Sequence, residues 1–116
     1  MNPSEALDAT FMALADPTRR AILARLAEGE ASVTELGKPF ALSQPAVSRH
    51  LRVLEQAGLV TQARRAQLRP RRLQVAPLKD AVDWLERYRA FWDASFQRLD
   101  GLLQELQEKE QHAGKE

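Results

Sequence analysis

The sequence contains no cysteine and only five glycines among its 116 residues. A chain without cysteine has no disulfide, no thiolate metal ligand and no thiol nucleophile. The glycines do not form a loop of the kind that holds nucleotide phosphates. No apolar run approaches the roughly 20 residues that span a bilayer, and residues 1–5 do not resemble a signal peptide. These absences predict a cytoplasmic protein that binds no nucleotide cofactor.

Histidine is also scarce, with only His50 and His112 in the chain. Near the C-terminus, Asp93 and Asp100 could share a helix face, but they have only His112 as a nearby imidazole. We therefore expect no transition-metal site and no cofactor. With no thiol and a single histidine near the centre of the chain, no nucleophile and base can be paired. The sequence predicts that the protein is not an enzyme.

Positive charge is concentrated in the middle of the chain. Residues 41–75 carry seven arginines and one acid, Glu55, giving a net charge of +6. Residues 1–40 carry −2 and residues 76–116 carry −3. The seven arginines are Arg49, Arg52, Arg64, Arg65, Arg69, Arg71 and Arg72. A basic segment between acidic ends is typical of a phosphate-binding surface, although a solvated charged face is the simpler alternative.

Capping signals divide the first 60 residues into four predicted helices. Asp16 followed by a proline begins the second, and Ser32 with Glu35 forms a capping box for a short third. Ser43 caps a fourth helix that runs to about residue 57 and stops at Gly58. A short helix, a turn at residues 39–42 and a second helix with arginines form the outline of a helix-turn-helix.

The fourth predicted helix has two chemically different faces. At 100° per residue, Val47, Leu51 and Leu54 lie on a buried edge. The opposite edge is polar and nearly free of acids, as a surface that enters the major groove should be. This edge contains Pro45, Ser48, Arg49, Arg52 and Gln56. His50 falls at the margin of the buried edge, where local hydrogen bonding or a phosphate contact is more common than catalysis.

A small hairpin is predicted after this helix, over residues 64–75, with Pro70 at an edge or turn position. Alternation within residues 71–75 predicts that Leu73 and Val75 face inward. Arginines on a protruding hairpin are well placed for contacts with the DNA backbone or minor groove. Helix and hairpin together predict a winged helix-turn-helix, a mainly α fold with a small β-hairpin wing, over residues 1–76.

Residues 77–109 are predicted to form one long helix, and residues 110–116 a frayed polar tail within the same single domain. Leu78, Leu85, Trp92, Leu99 and Leu106 recur every seven residues. A helix of this length would extend beyond the small core, so we expect much of its apolar side to meet a second chain. Its aromatic residues are most simply part of a dimer core, and alternatively a pocket for a small organic effector.

Two segments resemble a known family. Residues 13–23, ALADPTRRAIL, resemble the second-helix signature of ArsR-type winged-helix repressors. Residues 42–51, LSQPAVSRHL, are similar to their recognition helix. Residues 85–92 further resemble the metal-independent branch of that family. The sequence departs from the common family pattern in the wing, at Ala66, Gln67 and Arg71.

The resemblance implies a homodimeric repressor that binds a palindromic operator on double-stranded DNA. Combined with the charge pattern, it predicts DNA contacts from Ser43, Gln44, Pro45, Ser48, Arg49, His50, Arg52, Arg64, Arg65, Gln67, Arg69 and Arg71. It also implies dimer contacts from the first and last helices. The predicted interface residues are Leu7, Phe11, Leu85, Tyr88, Trp92, Phe96, Leu99, Leu103 and Leu106.

A second function is compatible with the heptad pattern. The long helix could belong to a helical protein-interaction module that lacks specific DNA binding. The basic middle of the chain favours the DNA-binding hypothesis over this one. Because DNA binding weakens steeply with salt, a gel shift at several salt concentrations would separate the two.

Overall fold

The computed structural model describes residues 2–63 and 69–113. The chain divides into two compact units, Met1–Val82 and Asp83–Glu116. Predictions made for Arg64, Arg65 and Gln67 lie outside the described residues. Among the residues described, no helix is both long enough and apolar enough to cross a membrane.

The described residues form six α-helices and two strands. The helices are α1 (Pro3–Leu14), α2 (Pro17–Ala27), α3 (Val33–Gly37), α4 (Gln44–Gln56), α5 (Ala76–Glu86) and α6 (Arg89–Ala113), with a 3₁₀ turn at Lys38–Phe40. The strands β1 (Val60–Gln62) and β2 (Arg71–Leu73) pair antiparallel, with Val60 opposite Leu73. The predicted helix-turn-helix and hairpin are therefore confirmed, but the predicted start of the hairpin at residue 64 was wrong, since its first strand lies at residues 60–62.

Local side chains set the starts of the helices, as the sequence predicts. The Asp16 carboxylate accepts a hydrogen bond from the Arg19 amide at 2.9 Å and caps α2. Ser32 and Glu35 form the reciprocal capping box at the start of α3. The Ser43 hydroxyl caps α4 by accepting from the amide of Ala46. Each cap satisfies an amide that the helix itself leaves without a partner.

The two arginines of the ALADPTRRAIL segment bind the end of α1 to the start of α2. Arg19 donates from Nε to the carbonyl of Ala13 at 2.8 Å and from Nη2 to that of Met12. Arg20 donates to the carbonyl of Leu14 at 2.7 Å. These carbonyls lie in the last turn of α1, where the helix runs out of amides, although the Met12 carbonyl also accepts from the Ala15 amide at 3.2 Å. The arginines therefore stabilise the corner between α1 and α2.

The core lies in the first unit, where the apolar faces of α1 to α4 meet β1. Its fully buried members include Ala13, Ile22, Leu36, Val47, Leu51, Leu54 and Leu59. Thr10 is the buried polar residue of this region, and its hydroxyl donates to the carbonyl of Ala6 within α1. Leu78 of α5 is partly buried against the same cluster. The core thus fixes α4 from behind and leaves its other side open.

The hairpin has a partner that the sequence did not predict. Ala31, between α2 and α3, pairs with Arg71 through two backbone hydrogen bonds of 2.8 and 3.2 Å. Leu73 is partly buried, as alternation predicts, but the prediction for Val75 was wrong, since Val75 is 64% exposed. The strand ends at Leu73, so the alternation of side chains does not continue to Val75.

The prediction of one continuous helix over residues 77–109 was also wrong. A turn at Arg87 and Tyr88 separates α5 from α6. Their amides bond three residues back, to the carbonyls of Trp84 and Leu85, and this tighter pattern ends α5. Neither proline nor glycine lies in this stretch, so the sequence contains no signal of the break. At the other end, α6 continues to Ala113, through residues 110–113 of the predicted frayed tail.

Candidate nucleic-acid interface

Close packing of α3 against α4 fixes the position of α4. A Cβ atom added to Gly37 would lie 3.0 Å from Val47 Cγ2, so only glycine fits here without movement. After the 3₁₀ turn, Ala41 adopts a left-handed backbone conformation with φ 52°, which turns the chain toward Ser43. The start of α4 is thereby fixed by backbone geometry as well as by its cap.

The faces of α4 match the sequence prediction. Val47, Leu51 and Leu54 are fully buried. The opposite side is here named the outer face, and its residues are Pro45, Ser48, Arg49, Arg52 and Gln56. All of them are exposed except Ser48, which is half-buried. The outer face contains no acidic residue and can therefore approach an anionic polymer without charge repulsion.

Arg49 and Arg52 differ from most other described arginines in their surroundings. Within the part of the chain that the structure describes, neither forms an ion pair. Four other arginines each pair with a glutamate, among them Arg25 with Glu35 at 3.6 Å. The two guanidinium groups of the outer face are therefore available to a ligand. A planar guanidinium suits both phosphate oxygens and the edge of guanine.

The first turn of α4 carries two further predicted contacts. Gln44 donates from Nε2 to the Thr34 hydroxyl of α3 at 3.1 Å. The second amide hydrogen and the carbonyl oxygen of Gln44 stay available to a ligand. Ser43 uses its hydroxyl to cap the helix, so any phosphate contact by Ser43 would share that oxygen.

His50 lies at the edge of α4 that faces α2. Its Nδ1 is 3.9 Å from the Asp16 carboxylate, and its side chain is about one-quarter exposed. The amide of Arg19 lowers the pKa of Asp16 below its ordinary value of 3.8, and the nearby His50 adds to this effect although burial opposes it. His50 therefore lies at the margin of the buried edge and close to the cap of α2.

Two arginines of the hairpin, Arg69 and Arg71, have different surroundings, although DNA contacts were predicted for both. Arg69 is exposed and has a positive φ of 38°, unusual for a residue other than glycine. Arg71 is directed inward, with its side chain only 14% exposed and its Nε 2.9 Å from Glu55 Oε1. The structure therefore does not place Arg71 on the exposed surface, since an acid on α4 already occupies its guanidinium.

The second unit, Asp83–Glu116, has a row of apolar side chains with about half of their surface exposed. The row comprises Leu85, Tyr88, Trp92, Phe96, Leu99, Leu103 and Leu106, all predicted interface residues. The members of the row on α6, from Trp92 to Leu106, share one face because they recur three, four and seven residues apart. Of the predicted contacts on α1, Leu7 is half-buried and Phe11 is 37% exposed.

Aromatic rings of this region pair locally. The ring centroids of Trp84 and Tyr88 lie 5.4 Å apart, and those of Phe91 and Trp92 lie 5.9 Å apart. Both distances are typical of aromatic contacts. These pairs do not test the alternative of an effector pocket, which stays a prediction. Across residues 2–63 and 69–113, no group of three or more histidine, aspartate or glutamate side chains could hold a metal ion.

Comparison with known proteins places this geometry in a family. Residues 14–63 match the helix-turn-helix domain family. The chain is 35% identical over 75 residues to the transcriptional repressor SdpR of Bacillus subtilis, a match that covers 65% of this chain and 83% of SdpR. It is 55% identical over 53 residues to the HTH-type transcriptional regulator Rv2034 of Mycobacterium tuberculosis, covering 46% of this chain and 50% of that protein.

A solved structure gives the same result for the fold. The crystal structure of an ArsR family transcriptional regulator superposes with a TM-score of 0.70 at 37% identity, covering 78% of this chain and 93% of that one. The chain belongs to the ArsR family of winged helix-turn-helix transcriptional regulators. It is therefore a DNA-binding transcriptional regulator. This assignment favours DNA binding over the protein-interaction module that the heptad pattern alone also allowed.

Proposed function

We propose that this protein is a homodimeric repressor that binds a palindromic operator through the outer face of α4 and the hairpin. The observation that carries the proposal is the exposed outer face, where Arg49 and Arg52 have no acidic partner in the described structure. A helix with such a face fits the major groove, and exposed Arg69 on the hairpin suits a phosphate contact beside it. The similar protein SdpR is named a transcriptional repressor, which supports repression over activation.

The exposed row on the second unit supports the homodimer. Trp92, Leu99 and Leu106 lie on one face of α6, and each is at least half exposed. Within this unit the described residues contribute no buried side chain, so packing inside the unit does not stabilise the helix. A second copy of the same chain presents an identical apolar row and can cover it. A similar solved structure is described as a homodimeric winged helix-turn-helix domain, at 22% identity.

Two-fold symmetry explains why the operator would be palindromic. A dimer with a two-fold axis carries two copies of α4 related by that axis. The two helices then read the same sequence on opposite strands, about one helical turn of DNA apart or a multiple of it. A repressor of this kind acts by covering the promoter that contains the operator.

The role of α4 can be tested by substituting its two unpaired arginines. We expect Arg49→Ala and Arg52→Ala each to weaken binding to a selected operator by about 1–3 kcal/mol, because a guanidinium that reads a base edge is lost. Binding to random duplex DNA should weaken less. The control is Arg98→Ala on α6, which removes the same charge far along the sequence from α4.

The operator for this experiment is obtained by selecting duplexes from fragmented genomic DNA with the full-length protein. Affinity is then measured by fluorescence anisotropy at several salt concentrations. An equal loss on operator and random DNA would assign Arg49 and Arg52 to the phosphate backbone instead of the bases. No loss on either DNA would contradict the proposed surface.

A further inference from the structure

Arg71 joins three parts of the first unit. Its Nε is 2.9 Å from Glu55 Oε1 on α4, and its Nη1 donates to the carbonyl of Arg69 in the hairpin. Its backbone pairs with Ala31 through two hydrogen bonds. With its side chain only 14% exposed, Arg71 is an internal link between the hairpin and α4.

The link reaches α4 beside the outer face. At 100° per residue, Glu55 lies about 80° around the helix from Val47, and Arg52 lies about 140° around it. Glu55 is therefore the neighbour of Arg52 on the side toward the hairpin, one helical turn along. Because the Arg71 side chain bonds Glu55, it also fixes the position of β2 relative to the outer face.

The same link fixes an unusual backbone conformation. Arg69 has a positive φ of 38°, and Pro70 follows it. The Arg71 guanidinium bonds the Arg69 carbonyl, and the Pro70 carbonyl accepts from the amide of Ala63 at 2.7 Å. These two bonds hold the residues on either side of the Arg69–Pro70 peptide, and Arg69 keeps its own side chain exposed.

Charge makes the arrangement relevant to DNA. Glu55 is the only acid among residues 41–75. In the ion pair its carboxylate faces Arg71 at short range, which compensates its negative charge next to the outer face. Without Arg71, the carboxylate would be free to attract Arg52 or repel phosphate.

We infer that Arg71 and Glu55 form a positioning pair that holds Arg69 in place to contact a DNA phosphate, while neither Arg71 nor Glu55 touches DNA. This inference rests on the proposed function, because it needs the outer face and Arg69 to face the same duplex. It reverses the role that the sequence suggested for Arg71.

The adjacent pair on the same strand provides a matched control. Arg72 lies 3.9 Å from Glu30, and its side chain is 56% exposed. A pair at that distance with an exposed arginine contributes little. Substituting Arg72 should therefore leave the hairpin in place and change DNA affinity by about twofold at most.

The decisive variant is Glu55→Met, which removes a negative charge beside the DNA surface. If Glu55 only repelled DNA, this change would strengthen binding. We expect it instead to weaken binding to operator and random DNA alike by about tenfold, the effect of losing a coupled contact. The slope of log affinity against log salt should fall by about one, because the phosphate contact of Arg69 is lost.

Double variants test whether Glu55 affects DNA binding through Arg71 and Arg69. Arg71→Met should weaken binding as Glu55→Met does, and the double variant should be no weaker than either single one. In an Arg69→Ala background, Glu55→Met should have no further effect. Binding is measured by anisotropy with the full-length chain, and Tm values establish that each variant is folded. Because Glu55 is partly exposed, Glu55→Met keeps the test valid even if Arg71→Met does not fold.

Two results would overturn the inference. Tighter binding by Glu55→Met would show that Glu55 acts only through its charge. Additive effects of Arg71→Met and Glu55→Met, with a lower salt slope only for Arg71→Met, would show that Arg71 contacts phosphate itself.

The variants of the outer face distinguish failure of this inference from failure of the proposed function. If Arg49→Ala and Arg52→Ala leave binding unchanged, the proposed surface is wrong. If those two weaken binding and the pair shows no coupling, only the positioning role fails.

Discussion

The two units of this chain differ in how far their apolar side chains are buried. The first unit, Met1–Val82, has one buried apolar cluster behind α4, whose members include Ile22, Leu36, Val47, Leu51, Leu54 and Leu59. The second unit, Asp83–Glu116, holds about as regular an apolar pattern on α6, and its large side chains stay about half exposed. The same periodicity therefore produces a core in one unit and an open surface in the other. The difference is that the first unit has several elements to pack together, whereas the second has only the end of α5 and the long helix α6.

The strongest test of this difference is to place a charge in the exposed row. Leu99→Glu should produce monomers and lower operator affinity by about 100-fold or more, because the two copies of α4 are no longer held together. The matched control is Gln97→Glu, which adds the same charge on the opposite side of α6. Analytical ultracentrifugation measures the mass, and anisotropy the affinity. A Leu99→Glu variant that stays dimeric would contradict the role of the row.

Truncating a leucine in each unit should separate folding from association. Leu51→Ala removes a fully buried side chain and should reduce the free energy of unfolding by about 2–5 kcal/mol at every protein concentration. Leu106→Ala should lower Tm mainly at low concentration, since the proposed dimer is what would cover its exposed side chain. Thermal melts over a hundredfold range of concentration measure both effects. Equal concentration dependence in the two variants would contradict the division into units.

The close contact between α3 and α4 can be tested with a compensating pair. Gly37→Ala places a methyl group 3.0 Å from Val47 Cγ2 and should destabilise the fold by about 1–3 kcal/mol through overpacking. Adding Val47→Ala makes room, so the double variant should lose less stability than the two single losses combined. Chemical denaturation measures all three variants. Simple additivity would mean that the cost of Gly37→Ala does not come from contact with Val47.

The smallest expected effect concerns the cap of α2. Asp16→Ala should lower Tm at neutral pH, because the Arg19 amide loses its acceptor, while Asp16→Asn should keep most of the stability. The folded pKa of Asp16 is lowered, so its contribution is present above pH 3.8 and is lost as the pH falls through the folded value. The Tm difference between wild type and Asp16→Ala should therefore shrink in acid. A constant difference down to pH 2 would exclude the carboxylate as its source.

Local rules were sufficient for much of the first unit. Caps at Asp16, Ser32 and Ser43 act within three residues of themselves, so the starts of α2, α3 and α4 could be predicted from adjacent letters. The helical period likewise separated the buried edge of α4 from Arg49 and Arg52, since one angle per residue decides both. The sequence by itself therefore determined the helix-turn-helix, the outer face and the resemblance to the ArsR family.

Contacts between distant residues were decided only by the tertiary structure. Glu55 and Arg71 are 16 positions apart, and no local pattern distinguishes Arg71, which is held inward, from exposed Arg69. Ala31 joins the hairpin from 40 residues away for the same reason. The turn at Arg87 and Tyr88 divides a continuous heptad pattern, because side-chain spacing reports which face is apolar and not which carbonyl each amide reaches. Sequence thus set the chemistry of each face, and packing set which charged groups compensate each other and which stay open to DNA.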